Sequence, residues 1–386
     1  MDFQLLRERM DGLTSWKIPG NAAIGYWGGE KVFSYASGYA DMASGLPMSE
    51  DLLFNVYSCS KVVTAAAAMQ LYEKGLFSLN DPLYEYIPEF RHMSVRTETG
   101  LRDAASPITL EQLFTMTAGF NYEFKIPAFE KAREKTGGKM NTLEVIRALA
   151  EEPLDFDPGT HWKYSFCHDV LAAVVEVISG KRFRDYVKEN IFAPLEMHSA
   201  CYHHESNHGN LAPLYRNAYR TADGVRVLHP ADTTLESYYE IAPSVPKYVL
   251  GPEYDSGGAG IAVTVSDFIK FGVALARSGM GLTGERILRP ETIALMKVNR
   301  LRGNVLLDFG EGRDPGCGYG LGVRVTTEKN SPVEVGEFGW GGAAGALFHI
   351  DTKNEACLFY VTHILNMPDD PFPDSLADVF YRCISL

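Results

Sequence analysis

The sequence predicts an α+β fold in which one sheet is assembled from both ends of the chain and a mostly helical segment is inserted between them. Three observations lead there. Short β-rich runs occur near the amino terminus and again beyond residue 318, a helical stretch punctuated by prolines separates them, and a helix that is apolar on nearly all sides begins at Ser58. The expected division is an α/β lobe from residues 1–78 and 262–386 and a helical lobe from 79–261, together one unit; 386 residues are comfortable for that.

In chain order, Ala22 to Trp27 reads as a strand, Gly28-Gly29-Glu30-Lys31 as a turn, and Val32 to Tyr39 as the return strand of a hairpin. Ser58 opens a helix through Lys74 that stops at Gly75. Val62, Val63, Ala65 to Met69 and Leu71 leave it no polar face, so it belongs in the middle of the molecule. From about Leu79 to Gly260 the pattern is helical and loop-rich, with helices expected over Thr109–Thr117 and Asp169–Ser179, the second closed by Gly180. A further helix runs from beyond Val263 to Ala276. Strands then follow over Gly318–Val325, Val335–Phe338, Ala346–Ile350 and Ala356–Ile364, and a last helix over Asp374–Ile384.

Composition limits the partners. With 36 basic and 49 acidic side chains the net charge is −13, so nucleic acid would be repelled rather than gathered. The 46% hydrophobic and 22% charged residues are ordinary for a soluble enzyme with a large core. Cys59, Cys167, Cys201, Cys317, Cys357 and Cys383 are scattered without a Cys-x-x-Cys pair, which argues against a disulfide framework or a zinc site. Met1 to Asp11 carries five charges and no long apolar run, so no signal peptide is expected. No stretch approaches the roughly 20 apolar residues of a membrane helix. The expectation is a cytoplasmic protein with neither a nucleic-acid nor a membrane partner; nothing specifies an oligomeric state.

The chemistry centres on Tyr57-Ser58-Cys59-Ser60-Lys61. A serine hydroxyl needs a nearby base before it becomes a useful nucleophile. In Ser-x-x-Lys at the start of a helix, the lysine lies one turn on and on the same face. The amino-terminal backbone N–H groups then sit beside the serine, where they suit a developing oxyanion. One such four-residue pattern is expected by chance in a chain of this size, and a second copy does occur at Ser244-Val245-Pro246-Lys247. Pro243 and Pro246 deny that copy a continuous helix, so its serine and lysine would not share a face. No Gly-x-Ser-x-Gly elbow is present. His203, His204 and His208 lack metal-site spacing and read as a polar loop. The glycines of Gly257-Gly258-Ala259-Gly260 and of Gly339 to Gly345 read as places where backbone approaches a ligand or strand closely.

Collinear segments extend the pattern. Phe54 to Lys61 is followed by Leu79-Asn80-Asp81-Pro82, Ile87-Pro88-Glu89-Phe90, Ile108-Thr109-Leu110, Thr117-Ala118-Gly119-Phe120, Phe156-Asp157-Pro158-Gly159, Tyr164-Ser165, Pro194-Leu195-Glu196-Met197, Gly257 to Gly260 and Gly318 to Gly322. Together they resemble the serine β-lactamase and penicillin-binding-protein superfamily, class C β-lactamases above all, along nearly the whole chain. The resemblance implies a β-lactamase-like fold: an antiparallel sheet flanked by helices, with an inserted helical lobe and the active site between them. It also implies that Tyr164 is the proton-carrying tyrosine of the second box, whose asparagine is here Phe166. At the third box, normally Lys-Thr-Gly, Trp340 stands for the lysine, followed by Gly341 and Gly342. A flat apolar surface thus replaces a cation that binds the carboxylate of penicillins.

Ser-x-x-Lys, Tyr-Ser-x and Trp-Gly-Gly together look like the family VIII carboxylesterases, and are similar to fungal acyltransferases that load a polyketide side chain onto an alcohol. By that likeness Ser58, Lys61 and Tyr164 are catalytic. Backbone N–H groups of Ser58 and Ala343 form the oxyanion hole, while Tyr122, Trp340, Gly341 and Gly342 border the substrate. Tyr122 can equally be a wall residue of the pocket. The implied substrate is a small carboxylic ester, with no metal and no organic cofactor. Three alternatives stay open: a β-lactamase or D-Ala-D-Ala peptidase, a transacylase using the same acyl-enzyme, and a non-catalytic relative that keeps the fold for binding.

Overall fold

The computed structural model describes residues 1–16, 18–203, 210–220, 226–228, 236–243, 250–310, 316–329, 331–367 and 374–385. Its frame is a sheet of eight strands: β1 (Gly20–Trp27), β2 (Glu30–Asp41), β3 (Leu46–Pro47), β4 (Cys317–Tyr319), β5 (Arg324–Thr326), β6 (Phe338–Gly342), β7 (Ala346–Asp351) and β8 (Ala356–Thr362). The order across the sheet is β4-β5-β6-β7-β8-β1-β2-β3, with each neighbouring pair antiparallel. The pairing of β1 with β8, Asn21 opposite Thr362 through Tyr26 opposite Cys357, joins the two ends of the chain in one sheet.

Both faces of this sheet are covered, which is why β8 is buried at every position instead of alternating. On one face Ala23, Phe33, Leu358 and Tyr360 meet α1 (Gln4–Trp16) and α5 (Leu376–Ser385) through Leu6, Met10, Leu13 and Phe380. On the other face Ala22, Ile24, Phe348, Phe359 and Val361 join the main core with α2 (Ser60–Glu73), α3 (Cys167–Ser179) and α4 (Val265–Ala276). The helix α4 reaches the sheet closely because Gly272 has no side chain: a Cβ there would lie 2.6 Å from the Phe348 ring. Helix α2 packs against α3 and is buried from Ser60 to Leu71, as its unbroken apolar sequence requires. Among the described residues no helix is long and apolar enough to cross a membrane.

Several elements differ from the sequence reading. The amino-terminal segment, read only for its charge, is the helix α1, whose apolar residues Leu6, Met10 and Leu13 recur at helical spacing. The helix expected over 109–117 is Leu110–Phe114, opened by a Thr109/Gln112 capping box. It is stopped by the positive φ of Met116. The single strand expected over 318–325 is two short ones, β4 and β5, folded back at Gly322 (φ +82°). The strand expected over 335–338 starts only at Phe338, because the chain turns at Gly336 (φ +87°), and it then continues through Gly341 and Gly342. Glycines argue against a strand by propensity; pairing with β7 overrides that. The run over 356–364 is interrupted at His363, whose ring nitrogens face the carbonyls of Pro213 and Tyr39. The segment read as helical and loop-rich also holds the paired strands Tyr215–Arg220 and Glu236–Ile241. Ser244-Val245-Pro246-Lys247, His204 and His208 lie outside the described residues.

Just ahead of β6, Glu337 is fully buried; its two oxygens accept from one Arg324 nitrogen, Nη2, at 2.8 and 2.9 Å, with His349 Nδ1 at 2.8 Å and the Thr326 hydroxyl donating at 2.8 Å. Burial pushes its carboxyl up, but the charges of Arg324 and His349 and these hydrogen bonds outweigh it and bring the group from 4.5 to about 2. A carboxyl depressed on folding contributes stability above its unfolded value, and that contribution is lost as the pH falls toward the folded one. The melting temperature should therefore fall between about pH 5 and about pH 2, and Glu337→Gln should flatten that part of the curve. Equal slopes in the two proteins would show that the buried pair contributes nothing.

Candidate active site

The approach to Ser58 is a bent backbone. A short 3₁₀ turn, Tyr57–Cys59, leads directly into α2. Tyr57 has φ +46°, a left-handed conformation that a bulky residue keeps only when its surroundings hold it. They do: Tyr57 is 2% exposed and packs with Leu214, Ala242 and Ala344. The strained residue turns the chain so that Ser58 stands at the amino-terminal entry of a buried helix.

One turn on, Lys61 is completely buried. Its Nζ donates to the Gly258 carbonyl at 2.7 Å and makes a longer contact, 3.4 Å, with Ser58 Oγ. The same nitrogen lies over two aromatic rings, 4.5 Å from the centre of Tyr164 and 5.3 Å from that of Tyr122. Tyr164 OH donates to Ser58 Oγ at 2.5 Å. An amine and a phenol separated by about a hundred residues thus converge on one serine hydroxyl, the phenol in a short hydrogen bond and the amine at the long end of hydrogen-bond reach.

Tyr164 is held from both sides. Trp340 stacks on it at 6.0 Å with only 10° between the planes, and Tyr122 meets it edge-on at 5.4 Å. Trp340 is itself 7% exposed and lies against Tyr319 at 5.2 Å. Its indole is therefore mainly a wall behind Tyr164, while its backbone carbonyl receives the Cys59 thiol at 3.7 Å. Close by, a Cβ on Gly342 would come within 2.4 Å of the Val56 carbonyl. Absence of that atom lets the end of β6 pass beside the Ser58 turn. Ser58, Tyr122, Tyr164, Trp340, Gly341, Gly342 and Ala343 all line one cavity of about 990 Å³. Lys61 lies just behind it, so all eight residues singled out in the sequence come together.

Phe166, where the family pattern has an asparagine, has no exposure and no access to the cavity. Its ring lies 4.8 Å from Tyr122, 4.9 Å from Phe124 and 5.6 Å from Phe129. The position has passed from polar contact to aromatic core, and it now backs Tyr122.

Sequence reasoning missed the support behind Lys61. The carbonyl that accepts from the amine belongs to Gly258, and the neighbouring Gly257 carbonyl accepts from Thr64 Oγ1 at 2.7 Å. Asp169, fully buried at the start of α3, receives Tyr254 OH at 2.6 Å, Ser256 Oγ at 2.7 Å and Gly258 N–H at 3.2 Å, all on Oδ1. The glycine run had signalled close backbone approach; an isolated aspartate carried no such signal. Next to it, burial and then the charge of Lys61 hold His168 well below the usual histidine range, so its imidazole is neutral. Among the described residues no three His, Cys, Asp or Glu side chains gather as a metal site.

The comparisons identify the family and agree with the fold. A family model described as Beta-lactamase matches residues 4–379. Esterase EstB of Burkholderia gladioli is 30% identical over 363 residues, spanning 90% of this chain and 85% of that protein. Acyltransferase calJ of Penicillium decumbens is 25% identical over 358 residues, 86% of this chain and 81% of that one. Among solved structures, EstCE1, a hydrolase with promiscuous acyltransferase activity, is similar in fold with a TM-score of 0.74 at 24% identity, over 99% of this chain and 98% of its own.

Phe166→Ala should lower the unfolding free energy by about 3–5 kcal/mol, the scale of emptying a packed aromatic site. Urea denaturation measures it. A loss below about 1 kcal/mol would mean that the site collapses and that Phe166 does not hold Tyr122 in place.

Proposed function

The chain belongs to the beta-lactamase family, and we propose that it is a serine hydrolase cleaving small carboxylic esters through an acyl-enzyme on Ser58. The observation that carries this reading is the convergence of Lys61 Nζ and Tyr164 OH on the Ser58 hydroxyl. The β-lactamase-like fold and the esterase and acyltransferase homologues support it.

In this mechanism Ser58 Oγ attacks the ester carbonyl while its proton passes to the Lys61/Tyr164 pair. The carbonyl oxygen, now negative, is stabilised by the backbone N–H groups of Ser58 and Ala343. Collapse expels the alcohol, which takes a proton from Tyr164 OH and leaves Ser58 acylated. Water then attacks the acyl-serine with the same pair as base, the acid is released and the serine proton is restored.

Substrate preference follows from charge. Around Ser58 the cavity is lined by Tyr122, Tyr164, Trp340, Gly341 and Gly342, none of them charged. Arg324 also lines it, but its charge is met by the buried carboxylate of Glu337. Among the described residues a carboxylate-bearing β-lactam finds no unopposed arginine or lysine there, so uncharged acyl groups are favoured. Transfer of the acyl group to an alcohol is the second reading. It is favoured by a cavity large enough for an acceptor beside the acyl chain and by the likeness to acyltransferase calJ.

Ser58→Ala and Lys61→Ala should each remove more than about 99% of activity on a small activated ester, as expected of residues acting as a unit. Tyr164→Phe should lower kcat at least about 100-fold. An organophosphonate probe should leave one adduct, located by mass spectrometry on Ser58; turnover retained in purified Ser58→Ala would overturn the assignment. Short esters, long esters, a chromogenic cephalosporin and a D-amino-acid ester should be compared on one preparation, with and without an added alcohol. Cephalosporin turnover exceeding ester turnover would reverse the substrate class, and transfer outrunning hydrolysis would favour the second reading.

A further inference from the structure

We propose that Asp169 is a positioning residue for Lys61: it fixes the carbonyl that holds the amine and supplies the negative charge that the buried amine needs when it carries a proton. The inference rests on the reading of Lys61 as the base for Ser58.

Lys61 Nζ is positioned less by Ser58, 3.4 Å away, than by the Gly258 carbonyl at 2.7 Å. Gly258 belongs to a glycine-rich loop that has few side chains of its own to pack. This loop enters the short strand Ile261–Thr264, which pairs with Leu53–Asn55 just ahead of Ser58. Asp169 anchors it from inside. One carboxylate oxygen collects the Tyr254 hydroxyl, the Ser256 hydroxyl and the Gly258 N–H, three donors from five consecutive residues.

The second oxygen is the informative one. Asp169 Oδ2 is buried and has no hydrogen-bond partner among the described residues, an expensive arrangement for a group whose only task is to anchor a loop. A Cβ built on Gly258 would meet Asp169 Oδ2 at 2.6 Å, Tyr122 OH at 2.9 Å and Lys61 Nζ at 3.1 Å. The unpaired oxygen and the amine therefore look at the same bare face of Gly258. An asparagine would accept the same three donors without desolvating a charge. The carboxylate is explained if the charge is used, and it is used when Lys61 takes the serine proton and becomes a buried ammonium.

Among the described residues, the titratable groups next to Asp169 and Lys61 do not offer that charge. His168 is neutral, and burial raises the thiols of Cys59 and Cys167 away from their thiolates. Burial likewise raises the Tyr254 phenol, as does the nearby Asp169. The next carboxylate in the loop, Asp255, is already paired with Arg184 and His203.

The test measures kcat, KM, the rate of Ser58 phosphonylation and the melting temperature for Asp169→Asn and for the double variant Tyr254→Phe/Ser256→Ala. Asp169→Asn keeps the acceptor and removes the charge. It should lower kcat and phosphonylation by about 10- to 100-fold with KM changed less than about 3-fold, the pattern of a lost transition-state interaction. The double variant keeps the charge and frees the loop; it should lower kcat about 10-fold at similar KM. In a Lys61→Ala background, Asp169→Asn should have no further effect on phosphonylation, because the two act through one nitrogen. Wild-type kcat in folded Asp169→Asn would overturn the proposal. If that variant does not fold, wild-type kcat in the folded double variant would do so. Full activity in Lys61→Ala alone would instead overturn the base assignment itself, so the two failures are distinguishable.

Discussion

Lys61 carries its amine wholly out of water, and an amine in that position has to be met by acceptors and by charge or it destabilises the fold by several kcal/mol. Much of the surrounding architecture answers to this. The apolar helix α2 brings the lysine in, and the carbonyl of Gly258 accepts from it. The rings of Tyr122 and Tyr164 give it two negative faces, and Asp169 braces the loop from behind. Water would satisfy the amine more cheaply, but it would not fix the amine beside the Ser58 hydroxyl as the Gly258 carbonyl does.

The sheet contributes position rather than charge. Its strand β6 runs past the Ser58 turn because Gly342 lets the Val56 carbonyl approach, and the Cys59 thiol meets the carbonyl of Trp340. The indole of Trp340 then stacks on Tyr164 and keeps its hydroxyl directed at Ser58. In place of the lysine of the family pattern, the fold has a ring that stacks on the ring of Tyr164. One residue type thus sets both the surface presented at that position of the cavity and the support of its tyrosine. Phe166 repeats the pattern nearby, turning a polar position into packing for Tyr122.

The active-site geometry is thus over-determined by elements far apart in sequence. Tyr57 keeps an unfavourable backbone angle because Leu214, Ala242 and Ala344 enclose it. The turn bearing Ser58 follows the strand Leu53–Asn55, which pairs with Ile261–Thr264 in a separate small sheet, and it meets the strand bearing Trp340 by direct packing. Enzymes of this kind gain from such rigidity, because a displacement of even about 1 Å at the reacting atoms can cost about 100-fold in rate.

By itself the sequence determined those features that depend on local order. The apolar run after Ser58 makes a buried helix, the spacing of three residues puts Lys61 on the serine's face, and the hairpin over residues 22–39 follows from its glycine turn. Collinear segments were enough to bring Tyr164, Tyr122 and the Trp-Gly-Gly box to the same site. Tertiary structure decided the rest. A glycine-rich strand such as β6 exists only because β7 pairs with it, and the run over 318–325 folds back at a glycine that local propensity reads as continuous. Asp169 was illegible for the same reason. A carboxylate acquires its role from the donors that surround it, and those come from residues 254–258, some eighty-five positions away in the chain. Local pattern records which way a side chain can point; only packing records what it meets there.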